Sequence, residues 1–279
     1  MKISGPKLYG IFGFPLGHTL SPALQEAAFR ALGLKAFYLS FEVRREEFLR
    51  LMRRRKNLVL DGFNVTVPYK EEVLRFLDGV SPEARAIGAV NTVLRKGGRW
   101  MGFNTDSRGF TASLEKDAKF RAAGKKILIL GAGGSARAAA YALAQKGAKI
   151  ISIANRTPAR AKKIVTQYRR LFPEVEWRNS NLAEADLVVN ATSVGLRKGD
   201  RSLVRPRDFL NRKALFVDLI YKPAETRFLR EARLAGHPTL NGLGMLLYQG
   251  AEAFRLWTGF KAPLEVMQKT LIESLRHAH

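Results

Sequence analysis

The run Lys126-Ile-Leu-Ile-Leu-Gly-Ala-Gly-Gly-Ser-Ala-Arg137 constrains the fold more than any other stretch of the chain. Ile127 to Leu130 are four apolar residues in a row, as expected of a strand buried on both faces. Gly131-Ala132-Gly133-Gly134 must then turn sharply, and Ser135 opens an alanine-rich segment with strong helix propensity. Strand, glycine turn and helix in that order aim backbone N–H groups and a helix N-terminus at an anion. Gly131, Gly133 and Ala136 fill the G-x-G-x-x-G/A frame, whose last small residue lets helix pack close on strand. After Gly147 a second apolar run, Lys149 to Ala154, has the length and place of the next parallel strand. The stretch predicts a dinucleotide site in an α/β unit.

The residues after that second strand choose the dinucleotide. An NAD site commonly offers Asp or Glu there to bind the ribose 2′-hydroxyl. This chain offers Asn155-Arg156-Thr157 and then Arg160. With a helix starting at Thr157-Pro158, the two arginines can converge on one phosphate. Guanidinium groups suit a 2′-phosphate, so NADP is the predicted cofactor.

Composition narrows the class. The 279 residues are enough for two domains, and 46% hydrophobic residues suffice for ordinary cores. The absence of cysteine excludes disulfides, thiolate metal sites and a catalytic thiol. Four scattered histidines argue against a zinc-dependent dehydrogenase, and no metal is expected. No apolar run approaches the roughly 18 residues of a membrane span, and Met-Lys-Ile-Ser-Gly-Pro-Lys7 is no signal peptide. A cytoplasmic protein without a membrane partner is expected. The net charge of +24 is concentrated at residues 107–239, where 27 Lys and Arg face 11 Asp and Glu. Such a field steers anionic ligands. A nucleic-acid-binding protein with a vestigial nucleotide unit is the reading from another class. No recognised nucleic-acid motif supports it, and nucleic acid is not an expected partner.

Before the glycine turn the chain alternates strand and helix signals. Strands are predicted at 8–12, 36–43 and 62–67, with helices at 22–31, 46–55 and 69–77 between and after them. Thr92–Arg95 and Trp100–Phe103 read as a hairpin closed at Lys96-Gly-Gly-Arg99, and a helix from Ser107 to about Lys116 follows. This order argues a second, mainly parallel sheet. From Leu240 the chain turns apolar and nearly neutral, with helices at 244–257 and 263–275 and a frayed tail, Arg276-His-Ala-His279. The predicted domains are 1–106 completed by 240–279, which binds substrate, and 107–239, which binds NADP.

Short polar clusters fall at strand ends, where open α/β sheets bind ligands: His18-Thr-Leu-Ser-Pro22, Asn64-Val-Thr-Val-Pro-Tyr-Lys70, Gly88-Ala-Val-Asn-Thr92 and Gly102-Phe-Asn-Thr-Asp-Ser-Arg-Gly109. Each alone has a plain reading. Ser21 can be an N-cap, Asn91 and Asn104 turn residues, Lys70 a solvated lysine and Asp106 a helix cap. Together they offer hydroxyls, carboxamides, one lysine and one aspartate, an inventory suited to a polyhydroxylated substrate. It also suits hydride transfer to a carbonyl, whose oxygen gains charge and needs a proton from a nearby ammonium. No tyrosine has a lysine four residues later, the pair of short-chain reductases.

With these motifs, together with Asn155-Arg-Thr157, Asn190-Ala-Thr-Ser193 and Gly242-Leu-Gly-Met245 followed by Gln249, the chain resembles the shikimate dehydrogenase family nearly end to end. The resemblance implies a Rossmann-type doubly wound NADP domain and a second α/β substrate domain. It implies NADP-dependent interconversion of 3-dehydroshikimate and shikimate, in aromatic amino-acid biosynthesis, with Lys70 and Asp106 as the catalytic pair. By the same resemblance Thr19, Ser21 and Tyr221 hold the substrate carboxylate, and Asn64, Thr66, Asn91, Asp106 and Gln249 meet the ring hydroxyls. Gly131 to Ala136, Asn155, Arg156, Thr157 and Arg160 hold the nucleotide, and Thr192, Leu219, Gly242 and Met245 lie by the nicotinamide. Three positions depart from the family pattern: Thr19 replaces a common serine, Gln25 a common histidine and Lys222 a common asparagine. The threonine methyl falls where quinate, unlike shikimate, carries an extra hydroxyl. A quinate/shikimate dehydrogenase of broader specificity is therefore the second reading. The chain is expected to be a monomer or homodimer.

Overall fold

The computed structural model describes residues 5–17, 19–180, 182–197 and 199–276. His18, which opens the first polar cluster, and the tail from His277 lie outside them. Two compact units are present: residues up to Gly109 with those from Leu246 onward, and Phe110–Met245.

In the first unit β1 (Lys7–Gly13), α1 (Ser21–Ala31), β2 (Ala36–Glu42), α2 (Arg45–Arg53) and β3 (Gly62–Val65) follow in order. After them come β4 (Gly79–Val80), α3 (Pro82–Ile87), β5 (Thr92–Lys96) and β6 (Arg99–Phe103); α4 (Asp106–Lys116) begins in this unit and its residues from Phe110 belong to the second. The sheet order is β2-β1-β3-β5-β6-β4. β1 pairs parallel with β2 and β3, and β4 with β6, while β5 runs antiparallel to both its neighbours. Gly97 and Gly98 close the predicted hairpin at φ 58° and 75°. Both are in the left-handed region that a two-residue turn of matching twist requires.

The helix expected over 69–77 does not form; only a 3-10 turn, Val73–Phe76, is present. Tertiary contacts hold the chain otherwise. The Tyr69 hydroxyl donates to the Val43 carbonyl at 2.6 Å, and its ring stacks on Phe48 at 4.1 Å between centroids. The Lys70 carbonyl, which a helix would commit to Leu74, accepts instead from the Val90 N–H at 2.8 Å. That bond sets Lys70 beside the segment carrying Asn91. Strand β3 stops two residues short of the expected end. Helix α3 and strand β4, too short to leave a periodic signal, are additions to the predicted elements.

An aromatic core lies under this sheet. Phe12, Phe48, Phe63, Tyr69 and Trp100 are each at most 1% exposed within one cluster. Truncating any of the phenylalanines or the tryptophan to alanine costs about 3–5 kcal/mol by typical core behaviour. Near the C-terminus, α8 (Leu243–Thr258) and α9 (Leu264–Arg276) complete the chain. The Trp257 indole donates to the Val93 carbonyl at 2.9 Å and stacks on Tyr9 at 4.9 Å. A Cβ on Gly62 would stand 2.6 Å from that indole nitrogen, so glycine is what lets the ring lie against the sheet.

The second unit holds β7 (Lys126–Leu130), α5 (Gly134–Gln145), β8 (Ile150–Ala154), α6 (Pro158–Leu171) and β9 (Glu176–Arg178). It continues with β10 (Leu187–Asn190), β11 (Leu215–Asp218), α7 (Arg227–Leu234) and β12 (Thr239–Leu240). Its sheet is parallel throughout, in the order β12-β11-β10-β7-β8-β9. Counted from β7, that is the doubly wound order of the Rossmann fold, with its switch between β7 and β10. The fold class is the expected one. Among the described residues no helix is long and apolar enough to cross a membrane.

Candidate active site

The first unit gathers its polar side chains around one ion pair. Lys70 Nζ donates to Asp106 Oδ2 at 2.6 Å, and the two side chains are only 11% and 5% exposed. A pair taken this far out of water is held only if its remaining valences are met. Asn91 meets one, donating from Nδ2 to Asp106 Oδ1 at 2.8 Å. Its other contacts fix the amide: Nδ2 also reaches Thr105 Oγ1 at 2.9 Å and Gln249 Oε1 at 3.3 Å, while Oδ1 accepts from the Thr105 N–H at 2.7 Å.

One plain reading proposed for this stretch gives way here. Asp106 does not cap α4; Asn104 does, its Oδ1 accepting from the N–H groups of Asp106 at 3.0 Å and Ser107 at 3.3 Å. Asn91 lies in the bend before β5, but at 3% exposed its amide is taken up by this network rather than by solvent. Ser21 likewise is not an N-cap: it sits in the first turn of α1, 7% exposed, and its N–H donates to Thr19 Oγ1 at 3.3 Å.

Farther along the sheet, Tyr38 Oη donates to Asn64 Oδ1 at 2.7 Å. Asn64 Nδ2 donates to the Asn91 carbonyl at 2.9 Å and to Thr92 Oγ1 at 3.0 Å. Thr92 Oγ1 donates in turn to Asn91 Oδ1 at 3.1 Å. A continuous chain of hydrogen bonds therefore runs from Tyr38 to Lys70. Both Asn64 amide hydrogens are committed, so toward a ligand this side chain can only accept. Tyr38 belongs to the network without having drawn attention in the sequence, where a tyrosine in a strand carries no signal; Thr92 and Thr105 lie in the polar clusters without an individual role assigned to them. Thr66 lies one residue beyond β3 and is half-buried. Gln25, 1% exposed, donates to the Gly250 carbonyl at 2.9 Å and leaves its own Oε1 without a partner. Thr19, Ser21, Asn64, Thr66, Asn91 and Gln249 share the first unit with the ion pair; Tyr221 belongs to the second.

In the second unit the glycine turn has the shape a pyrophosphate needs. Gly131 stands at φ 117°, and a Cβ there would lie 2.9 Å from the Ala191 carbonyl. Around Gly133 the space a Cβ would fill is open, with no heavy atom within 4 Å. No side chain caps α5 and its first turn is free of acid, so its N-terminal N–H groups keep their affinity for an anion. Ala136 is fully buried against the strand. At the end of β8, Asn155 Nδ2 donates to the Thr157 carbonyl at 3.0 Å, shaping the entry to α6. Arg156 and Arg160 flank Thr157 at the head of that helix, both exposed. These donors fit NADP: N–H groups for the pyrophosphate, guanidinium groups for the 2′-phosphate.

The remaining predicted nucleotide residues sit on the C-terminal rim of the same sheet. Thr192 Oγ1 donates to Asn190 Oδ1 at 2.7 Å. A Cβ on Gly242 would stand 2.2 Å from the Leu219 carbonyl, so those two segments touch backbone to backbone. Met245 is 8% exposed. Among the described residues no group of acids and histidines is arranged to hold a metal.

Residues 11–93 match the shikimate dehydrogenase substrate binding domain, 113–222 the shikimate/quinate 5-dehydrogenase domain and 242–272 the shikimate 5′-dehydrogenase C-terminal domain. A shikimate dehydrogenase (NADP(+)) of Carboxydothermus hydrogenoformans is 44% identical over 97% of this chain and 99% of that protein. The structure of shikimate 5-dehydrogenase from Thermus thermophilus in complex with NADP(H) and shikimate aligns with a TM-score of 0.85 at 39% identity. That alignment covers 96% of this chain and all of the other. A quinate dehydrogenase from Corynebacterium glutamicum in complex with NAD has a TM-score of 0.86 at 31% identity, over 96% and 99% of the two chains.

Proposed function

The chain belongs to the shikimate dehydrogenase family, and from that premise we propose that Lys70 and Asp106 carry the interconversion of 3-dehydroshikimate and shikimate with NADPH. The enzyme is an NADP-dependent oxidoreductase acting on a CH–OH group. The observation that carries the residue assignment is the buried 2.6 Å contact between Lys70 Nζ and Asp106 Oδ2.

NADPH supplies the hydride. As it reaches the carbonyl carbon, the oxygen takes on negative charge, and the Lys70 ammonium stabilises that oxygen and gives it a proton. Asp106, held by Asn91 and Lys70, accepts a hydrogen bond from the reacting hydroxyl and keeps the ammonium aimed at it. Asn64 accepts from a second ring hydroxyl through Oδ1, and Gln249 and Thr66 serve the others. Thr19 and Ser21, with Tyr221, hold the carboxylate. The turn from Gly131 to Ala136 cradles the pyrophosphate, Asn155, Arg156, Thr157 and Arg160 take the adenosine 2′-phosphate end, and Thr192, Leu219, Gly242 and Met245 line the nicotinamide. The protein works in the cytoplasm as a monomer or homodimer.

Likeness to an NAD-bound quinate dehydrogenase favours one second reading, a broader quinate/shikimate activity. Initial rates of NADP⁺ and NAD⁺ reduction with shikimate and quinate decide between them. The expected result is shikimate with NADP⁺ as much the fastest pair. Comparable rates on quinate establish the broader enzyme, and no rate on shikimate overturns the assignment.

A further inference from the structure

Each of the two sheets has two edges, and three of the four are blunted. β4 and β12 are two residues long. β9 is three, Glu176-Trp177-Arg178, with its acid and its base paired at 2.7 Å. Short, charged edge strands of this kind keep a sheet from pairing with another chain. The fourth edge, β2, carries none of these devices. It is seven residues, Ala36-Phe37-Tyr38-Leu39-Ser40-Phe41-Glu42, with no proline, no lysine and a single acid at its end. It pairs with β1 residue for residue over that whole length, so no bulge bends it away from a neighbour. Among the described residues no strand takes its outer side.

The two faces of β2 are covered unequally. On one, Tyr38 is buried and meets Trp257 and Asn64. On the other, Phe41 stacks on Phe12 at 4.8 Å between centroids, and cover ends there. Leu39 and Phe37, two and four residues earlier on that same face, are 44% and 58% exposed. A leucine and a phenylalanine side by side on a long, regular, unpaired edge are what an interface strand presents.

We propose that β2 is the interface of a homodimer, two copies pairing antiparallel about a two-fold axis at Leu39 and joining their sheets into one. A second copy is the occupant this strand fits, because the strand is complementary to itself. A two-fold axis perpendicular to the sheet keeps every side chain on its own face. Placed at Leu39, it sets that residue opposite its own copy, Phe37 opposite Phe41 of the second copy, and Glu42 opposite Ala36. Apolar side chains then meet apolar ones, the strand's single charge faces no charge of its own sign, and both edges exchange the same N–H and C=O groups. Most of the chain's positive charge falls in residues 107–239, and β2 has no cation to oppose the approach. The proposal chooses between the monomer and the homodimer of the reading above. Neither Phe37 nor Leu39 belongs to the site network, so its failure leaves the Lys70–Asp106 assignment standing.

The test weighs the full chain by sedimentation equilibrium at physiological salt, from low to high micromolar protein. The expected mass is that of two chains. Phe37→Lys combined with Leu39→Lys puts like charges on both sides of the axis and is expected to give the mass of one. Because the chain has no cysteine, a single introduced thiol reports on position. Opposed residues of an antiparallel pair have Cα atoms about 4.5–5.5 Å apart, within reach of a disulfide. Leu39→Cys is therefore expected to cross-link to a second copy under mild oxidation. Phe37→Cys, whose two copies would stand about 13 Å apart, is not. Nor is Leu210→Cys, 76% exposed in the second unit. The mass of one chain at every concentration leaves the edge to a partner of another kind and overturns the proposal. So does a dimer that survives the double lysine replacement, or cross-linking of Leu39→Cys no greater than that of Phe37→Cys or Leu210→Cys. Should the double variant fail to fold, the cysteine series decides alone.

Discussion

Asn104 Oδ1 accepts the Asp106 N–H at 3.0 Å, so the residue that caps α4 is not the acid that begins it. Two residues apart, the two side chains divide the labour. The carboxamide satisfies the helix N-terminus, and the carboxylate is left for Lys70 and Asn91. Asn104 also donates to the Ala89 carbonyl at 2.9 Å, which anchors the loop leading to Asn91. Replacing Asn104 by alanine is expected to cost about 1–2 kcal/mol of stability in urea unfolding, from the lost cap. It should also lower kcat by about tenfold, since Asp106 then competes for its own helix N-terminus. A stability loss with kcat untouched would mean that the cap does not aim the acid.

Lys70→Ala tests the proton step. A general acid removed from a hydride transfer typically costs about 10²- to 10⁴-fold in rate. The expected outcome is a fall of that size in kcat with a modest change in KM for shikimate. Near-normal kcat would refute the role. Asp106→Asn should share the kcat loss, because it leaves Lys70 Nζ, now 2.6 Å from a carboxylate oxygen, without its counter-charge.

Much of this was legible in the sequence, and for one reason. At the head of the second unit strand, turn and helix follow one another locally, announced by a short apolar run and by glycine; β9 to β12 and α7, further along, are not read from the sequence. Gly131, the helix to Gln145 and the strand at Ile150–Ala154 stand where their residues predict. The polar clusters offer one lysine and one aspartate, but that Lys70 and Asp106, 36 residues apart, form a catalytic pair comes from the family resemblance, since no periodicity links them. What stayed hidden was decided by tertiary contact. The segment 69–77 has helical composition, yet Tyr69 stacks on Phe48 and Val90 takes the Lys70 carbonyl. Tyr38 joins the site network because the pleat of β2 turns it inward onto Asn64, a direction its sequence position leaves open.

Asp78 offers a check on pH and stability away from the chemistry. The Trp100 N–H, donating to Asp78 Oδ2 at 2.7 Å, is the main reason this carboxyl lies below the usual range, and Arg55 adds to it. A carboxyl whose pKa is depressed on folding contributes stability above its unfolded pKa. The contribution is lost as pH falls through the folded value. Asp78→Asn is therefore expected to lower stability at pH 7 but to match the parent chain under strongly acidic conditions. Urea titrations of both chains from pH 7 downward should converge; a constant gap would assign the effect to packing.

Arg156 and Arg160 bear on cofactor choice. Both are exposed at the head of α6, where no carboxylate stands in Asn155-Arg156-Thr157 to hold a free 2′-hydroxyl. The double replacement by alanine should raise KM for NADP⁺ by at least about tenfold, the range of charge-assisted hydrogen bonds to a phosphate. NAD⁺, which lacks the phosphate, should be used as before. Equal losses for both nucleotides would place the 2′-phosphate elsewhere.

Gly131 and Gly133 are two residues apart in the same turn, and alanine at each should fail differently. At Gly131 the backbone is left-handed, φ 117°, and a Cβ would stand 2.9 Å from the Ala191 carbonyl. That oxygen is main chain and cannot swing aside, so the loop carrying Thr192 must shift. Gly131→Ala is expected to destabilise the ligand-free protein by about 1–3 kcal/mol, the usual range for strained backbone, and to weaken NADPH as well. Gly133 is extended, φ −93° and ψ −174°, and nothing within 4 Å would meet its Cβ. Gly133→Ala should leave the unfolding midpoint of the ligand-free chain in place. If the proposed cradle holds the pyrophosphate, the alanine methyl occupies the space for that approach to the backbone, and NADPH affinity should still fall by about tenfold or more. Calorimetric titration of NADPH alongside thermal unfolding separates the two. Full affinity in Gly133→Ala would show that the nucleotide does not lie on this turn.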